Sequence, residues 1–347
     1  MTAARPIAVY HEHPDWFRPL FAEMDRRRIA YVRLDPKALR YDPAEREVPY
    51  SLVFNRMSPS AYLRGAGHAI FSTHAWLAHL ERLGVPVVNG ARAWRHETSK
   101  ALQLELLESL GLRYPRARVI NHAAQAPAAA EGLRFPVVVK ANIGGSGAGI
   151  VRFDSGEALA NAVSQGTINL GIDQTALVQE YIPARGGQIL RVETLGGKYL
   201  YAIKIHTTGE TFNLCPASIC QRADGVELVR TACPTNAPKT GLKVEAFEPP
   251  DYVVTAVESI AQGAGVDVGG IEYMIDDRDG RLLYYDINAM SNFVADAVNV
   301  VGFDPYARLV AYLESRIEVS PRPELARGAL AGMPARASLA SSGRGET

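Results

Sequence analysis

Gly270-Ile271-Glu272-Tyr273-Met274-Ile275-Asp276-Asp277, then Arg278-Asp279-Gly280, then Arg281-Leu282-Leu283-Tyr284-Tyr285-Asp286-Ile287-Asn288 read as strand, turn and strand. Gly280 suits the left-handed position of a three-residue hairpin loop, which pairs Asp277 with Arg281. Counting five residues along each strand from that pair sets Glu272 opposite Asp286. Asn288, two positions on, projects from the same face. Like charges on paired positions, with Cβ atoms ~4.5–5.5 Å apart, destabilise a sheet. A cation removes the conflict, and two carboxylates plus an amide oxygen are hard ligands suited to a magnesium ion that also binds phosphates. The alternative is two solvated acids on an exposed hairpin.

A second hairpin lies upstream. Pro136-Val137-Val138-Val139-Lys140 runs into Ala141-Asn142-Ile143-Gly144-Gly145-Ser146-Gly147-Ala148-Gly149, and the chain returns through Ile150–Phe153. No Gly-Lys-Ser/Thr closes the run, which excludes a Walker A loop. Gly145 and Gly147 would need a glycine where Ile150 stands, which excludes the dinucleotide fingerprint. A glycine flap remains, with Lys140 at its base. Glycine lets backbone N–H groups approach phosphate oxygens closely, and lysine adds a point charge. The alternative is a flexible turn, but four glycines between 144 and 149 make that an entropically costly one.

Around these hairpins the chain alternates. Apolar runs at Ile7–His11, Tyr31–Leu34, Ser51–Asn55 and Val85–Asn89, separated by helical stretches at 14–28 and 67–83, predict a small parallel α/β domain. A helix is expected at 99–110, capped by Thr98, stopped by Gly111, and burying Leu102, Leu106 and Leu110. Further strands are expected at 176–181, 190–195 and 199–205. A helix over 251–264 should bury Val253, Val257, Ile260 and Ala264, and a last helix lies near 305–315. From 320 to 347, Pro, Ala, Ser, Gly and Arg without periodicity predict a disordered tail.

The bulk composition narrows the classes. The 347 residues carry 37 Lys plus Arg against 37 Asp plus Glu, so no global field recruits nucleic acid or an anionic membrane. Cys215, Cys220 and Cys233 form neither a CxxC pair nor an even disulfide set, and read as reduced thiols. Neither a signal peptide nor an apolar run of the ~18 residues needed to span a bilayer is seen, so the expected location is the cytoplasm.

Taken in order, these segments resemble the ATP-grasp superfamily, and within it the ribosomal-protein glutamate ligases and glutathione synthetase-like enzymes. The resemblance runs over roughly residues 50–315. Phe54-Asn55-Arg56 and Gly84–Asn89 resemble the end of the family's first domain. His96-Glu97-Thr98-Ser99-Lys100 resembles the start of its central helix, with Lys100 as first phosphate lysine. Phe135–Lys140 and the glycine run are similar to the second lysine and the flap. Val178-Gln179-Glu180-Tyr181-Ile182 resembles the strand that holds adenine. The acids Glu272 and Asp286, with Asn288, resemble the metal set with the two acids exchanged.

The resemblance implies an α/β protein in three parts, with α+β character in the ATP-grasp portion. The N-terminal domain would span 1–95, a central subdomain with the flap 96–183, and a second subdomain with the metal site 184–319. It implies an ADP-forming carboxylate–amine ligase using ATP and two magnesium ions, with manganese as an alternative ion. Lys100, Lys140, Gly144, Gly145, Ser146, Gly147 and Gly149 would hold phosphates. Gln179, Glu180, Tyr181 and Ile182 would hold adenine, Gln188 would lie near the ribose, and Asn213 near the metals. Arg191 and Lys204 would line the phosphate side, with Arg56 and Arg191 as candidates for the substrate carboxylate or its acyl phosphate. The implied partners are a small-molecule or peptide carboxylate and an amino acid or amine, with a homo-oligomer left open. Where the family shows a Pro-Ser-Pro-Gly-like turn, this chain has Ala289-Met290-Ser291-Asn292-Phe293, so substrate identity does not transfer. A nucleotide-binding regulatory protein without turnover and a kinase that never accepts an amine remain as alternatives.

Overall fold

The computed structural model describes residues 5–13, 15–145, 149–206 and 243–319, with side chains in the last helix described to residue 317. Ser146, Gly147, Asn213, the three cysteines and the 320–347 tail lie outside the described residues.

Residues 5–97 hold β1 (Ile7–Tyr10), α1 (Arg18–Arg26), β2 (Tyr31–Leu34), β3 (Leu52–Asn55), α2 (Gly67–Arg82), β4 (Val87–Val88) and α3 (Ala91–Glu97). The four strands pair in parallel, in the order β2-β1-β3-β4. Strands buried on both faces need apolar residues at successive positions, and Ile7–Tyr10 and the first three residues of Leu52–Asn55 supply them. Ile7, Val9, Leu52 and Phe54 pack on Phe17, Leu20 and Met24 of the α1 region. Ala8, Tyr10 and Val53 pack on Trp76, Leu77 and Leu80 of α2.

Next come α4 (Lys100–Ser109), β5 (Ala117–Ile120), α5 (Ala126–Ala130), β6 (Val137–Ala141), β7 (Ile150–Phe153), α6 (Gly156–Ser164) and β8 (Ala176–Glu180). Their sheet is antiparallel, ordered β5-β8-β6-β7, so the glycine run does connect a hairpin. Then follow β9 (Gln188–Leu195), β10 (Lys198–His206), β11 (Val244–Phe247), α7 (Asp251–Ala264), β12 (Val268–Ile275), β13 (Leu282–Asn288), α8 (Ala297–Val301) and α9 (Pro305–Val319). This third sheet is antiparallel, in the order β11-β10-β9-β12-β13. One of its faces, through Ile189, Tyr201, Ile203 and Ile205, shares a core with the N-terminal sheet and with Leu309, Val310 and Leu313 of α9. The other face packs on α7 through the expected Val253, Val257, Ile260 and Ala264. No helix of the described residues is long and apolar enough to cross a membrane.

Two details of α4 correct the sequence-based expectation. The cap is Ser99, whose Oγ accepts from Leu102 N at 3.2 Å. Thr98 instead ends α3 and donates its hydroxyl to Trp94 O at 2.8 Å. The buried face is Gln103, Leu104 and Leu107, not Leu102, Leu106 and Leu110, the last of which is exposed. That is a rotation of one residue, or about 100° at 3.6 residues per turn. Its cause is polar. The Gln103 amide donates to His96 O and Ile287 O at 2.8 and 2.9 Å, and accepts from Ile287 N at 3.2 Å. Docking Gln103 on β13 brings Lys100, three residues earlier, to the same face of the helix. Leu107→Ala is therefore expected to cost about 2–5 kcal/mol, and Leu110→Ala about 0.5 kcal/mol or less. Denaturant unfolding of the two variants checks this; the reverse order would restore the leucine stripe.

The β12–β13 hairpin contains a second correction. Its loop end pairs Ile275 with Leu282, Met274 with Leu283 and Tyr273 with Tyr284, and Asp276 N donates to Arg281 O. That register is one residue away from the expected Asp277–Arg281 pairing. A bulge at Tyr285 then shifts the strand back, and Glu272 does pair with Asp286, Ile271 with Ile287 and Gly270 with Asn288. Gly280 is left-handed as expected, with φ of 77°.

Candidate functional site

Three adjacent strands place Arg191, Glu272 and Asp286 in one row, because Glu272 pairs with Arg191 on β9 and with Asp286 on β13. Lys100 extends the row from the first turn of α4, its Nζ meeting Asp286 Oδ1. Charges thus run plus, minus, minus, plus, and each acid has a cation at its outer side. Arg191 donates to Glu272 Oε1 at 2.8 Å, Glu193 Oε1 at 2.6 Å and Ser291 Oγ at 2.8 Å. The bulge lets Tyr285 reach the acids' side, where its hydroxyl donates to Glu272 Oε2 at 2.7 Å.

Burial shapes the electrostatics. It raises the Glu272 carboxyl above its usual range, with Arg191 opposing and Asp286 adding to the rise. Asp286 is also penalised by burial, but Lys100 outweighs this and holds it below the usual range. For Lys100, burial favours the neutral amine, yet Asp286, Glu97 and Glu272 together raise its pKa. Burial pushes Glu97 up to about 7.

Lys140 is held next to this row by Asn142. The Asn142 Oδ1 accepts from Ser99 Oγ at 3.1 Å and from Ala101 N at 2.9 Å, and its carbonyl accepts from Lys100 N at 3.2 Å. The end of β6 is thereby tied to the start of α4, and the two lysines meet. Burial, then repulsion from Lys100, brings Lys140 down to about 8. Binding of an anionic phosphate favours the charged amine. Nucleotide affinity is therefore expected to be high below about pH 8 and to fall above it by up to about tenfold per unit for one linked proton. Calorimetric titration with ADP at pH 7, 8 and 9 checks this, and a flat profile contradicts it.

Other expected residues fall in different places. Gly144, Gly145 and Gly149 are the described ends of the flap. A Cβ on Gly145 would come within 3.2 Å of Ser60 Cβ, so the flap's first limb abuts the N-terminal domain. Gln179 pairs with Val138 and Lys140 with Leu177, which puts Gln179 and Lys140 on one face of the second sheet. The Gln179 Oε1 is buried without a hydrogen-bond partner. The Glu180 side chain turns to the other face and accepts from Arg134 N at 3.0 Å and Arg116 Nη1 at 3.4 Å. Tyr181 lies under Arg152, 4.6 Å from its ring, and Ile182 is buried.

Lys204 and Arg191, grouped together in the sequence, lie on opposite faces of the third sheet. Arg191 pairs with Ile203, whereas Lys204 pairs with Leu190, and its Nζ lies 4.8 Å from the Phe247 ring centre. Gln188, at the start of β9, shares the Lys204 face. That face shares a core with Leu177 of β8 through Leu190 and Tyr273. Arg56 is corrected as well. It is buried, and its guanidinium donates to Ala289 O at 3.2 Å and to Ser291 O, which commits it to the backbone rather than to a substrate carboxylate.

Sequence reasoning missed Glu97, Glu193, Tyr285, Ser291 and the pair Gly269-Gly270. Of these, the glycines carried a signal, since glycine inside a strand marks a close approach. A Cβ on Gly270 would lie 2.6 Å from Arg191 Nε, so its absence leaves room for the guanidinium against the sheet.

The residues present fit a metal shared with a nucleotide. Among the described residues, no group of three His, Cys, Asp or Glu side chains is placed to hold an ion alone. Glu272, Asp286 and the Asn288 amide supply hard oxygen atoms from one hairpin. Asn288 Nδ2 is buried without a partner, so that amide is not held by the protein. Such an incomplete set suits magnesium, whose remaining positions go to phosphates and water.

A family model described as the RimK-like ATP-grasp domain matches residues 97–214. The carbamoyl phosphate synthase large chain of Thermus thermophilus is 27% identical over 305 residues, which are 82% of this chain and 28% of that protein. A probable alpha-L-glutamate ligase of Mannheimia succiniciproducens is 24% identical over 241 residues, 70% of this chain and 71% of that one. Among solved structures, the ATP-grasp ligase PsnB, complexed with a phosphomimetic variant of its minimal precursor, Mg and ADP, superposes with a TM-score of 0.63 at 18% identity. It covers 90% of this chain and 99% of its own. The likeness to the glutamate ligase, the match of residues 97–214 to the RimK-like ATP-grasp domain and the fold shared with PsnB all accord with the two-lysine, two-acid arrangement, and over residues 97–214 the chain is similar to the RimK-like ATP-grasp domain.

Proposed function

We propose that this protein joins a carboxylate to an amine, using ATP and releasing ADP and phosphate. The observation that carries the proposal is the row Arg191–Glu272–Asp286–Lys100, with Lys140 and the flap beside it. Lys100, Lys140 and the glycine flap hold the phosphates, while Gln179, Tyr181 and Ile182 border the base. Glu272, Asp286 and Asn288 would hold the magnesium ions, two in this reading, which would neutralise charge on the transferred phosphoryl group.

The protein's own residues then position the reactants. A carboxylate oxygen of the substrate attacks the γ-phosphorus, the bridging P–O bond to the β-phosphate breaks, and ADP leaves. The acyl phosphate reacts at its carbonyl carbon with the amine, and phosphate departs with the former carboxylate oxygen. No protein nucleophile is needed, because phosphoryl transfer asks mainly for positioning and charge. Arg191, held by Glu193 and Ser291 beside Glu272, would place its positive charge next to the phosphoryl or acyl phosphate group. The carboxylate belongs to a small molecule or a peptide, and the amine to an amino acid or related compound.

Incubation with ATP, magnesium and pairs drawn from a panel of amino acids and peptides tests this. ADP release that requires both a carboxylate and an amine is the expected result. Phosphate retained on a product, or no turnover with any pair, contradicts it.

A further inference from the structure

The segment after the metal-site strand is held by side chains from the N-terminal half. Arg56, directly after β3, donates to Ala289 O and Ser291 O. Glu97, the last residue of α3, accepts from Ala289 N and from Met290 N. Asn89, after β4, donates its amide to Ala289 O at 2.5 Å and to Val268 O at 2.7 Å. Its Oδ1 accepts from Asp267 N and Val268 N at 2.9 and 3.1 Å. A buried guanidinium thus takes backbone acceptors, and a buried carboxyl takes backbone donors, of one short segment. Arg56 and Glu97 are only 3% and 6% exposed.

Burying either charge without compensation destabilises a fold, and a core can be built without them. Their partners lie next to Asn288 on one side and lead into Ser291 on the other, where Ser291 Oγ donates to Glu193 at 2.7 Å and accepts from Arg191. We infer that Arg56 and Glu97 are positioning residues that fix the Ala289–Ser291 backbone, and through it the Asn288 amide, relative to the N-terminal domain. They touch neither reacting group. The role rests on the proposed metal–nucleotide site only in its consequence; the clamp itself is independent of it.

Arg56→Lys keeps the charge but cannot span two carbonyls, and Glu97→Gln removes one of two acceptor oxygens. Amide hydrogen exchange of both variants is read over 288–292 and over the N-terminal core strands. The expected result is exchange about tenfold or more faster in 288–292, the effect of losing one hydrogen bond to a charged group, with the core strands unchanged. Binding of Mn2+ in the presence of ADP should weaken about fivefold or more, while ADP binding without metal stays within about twofold. Exchange within twofold of wild type in 288–292, or equal acceleration everywhere, overturns the inference, as does unchanged Mn2+ binding. Should Arg56→Lys fail to fold, Glu97→Gln from its separate helix decides alone. Wild-type protein that binds no Mn2+ with ADP would instead refute the nucleotide site, while the exchange result still judges the clamp.

Discussion

Asp286→Asn is expected to lower ATP turnover by at least about 10²-fold, the scale of removing one charge-stabilising group from a reacting centre. The physical reason is double. Asp286 is an expected magnesium ligand, and in the free protein it is the direct ion-pair partner of Lys100. Asparagine retains an oxygen of similar reach but loses the negative charge. Metal affinity should collapse, while Lys100, freed from its partner, remains available to a phosphate. The variant should therefore bind ADP without magnesium at least as tightly as wild type, and show no gain when magnesium is added. Calorimetric titration with and without the ion separates these effects. A variant that keeps the magnesium-dependent gain would remove Asp286 from the metal set. One that loses ADP binding altogether would assign the acid a structural duty.

Arg191→Leu should have the largest effect on stability. Its guanidinium joins Glu193 and Glu272, and both acids are buried, at 1% and 7% exposure. Removing one partner of a buried ion pair typically destabilises by about 3–5 kcal/mol, because the remaining charge has no compensation. Leucine leaves two buried carboxylates whose remaining hydrogen-bond donors, Ser291 Oγ on Glu193 and the Tyr285 hydroxyl on Glu272, are uncharged. Burial already raises the Glu272 carboxyl, and without the opposing Arg191 charge its folded pKa rises further above the unfolded one. The loss is then fully felt at neutral pH and above, and shrinks as pH falls toward the usual carboxylate range. Urea unfolding at pH 5 and pH 8 is the check. A loss that is equal at both values, or below about 1 kcal/mol at pH 8, would mean that solvent reaches the acids.

How far the sequence discloses this site depends on the kind of contact. The opposition of Glu272 and Asp286 was legible, although the pairing used to reach it was not. The loop sits one residue off the expected register and the Tyr285 bulge compensates, so two displacements cancel at the Glu272–Asp286 end. The faces of α7 were legible because apolar residues alone define them. For α4 they were not, since a buried glutamine fixes the helix by bonding both the N–H and the carbonyl of Ile287 on β13, 184 residues away. Separations of 233 and 192 residues likewise hide the clamp, because Arg56 and Glu97 bind backbone atoms that carry no residue-type signal. The split between Arg191 and Lys204 needed the β9–β10 register, in which Arg191 meets Ile203. Substrate choice stays outside what the motifs encode, because the Ala289–Phe293 segment departs from the family pattern.

A crystal structure of the wild-type protein grown with magnesium and a non-hydrolysable ATP analogue bears most directly on the site. Phosphates between Lys100 and Lys140, with ions bridging them to Glu272, Asp286 and Asn288 and the Lys100–Asp286 pair opened, are the predicted outcome. An analogue bound elsewhere, or a cleft in which that pair and Arg191–Glu272 persist with no density between the lysines and the acids, would contradict the assignment.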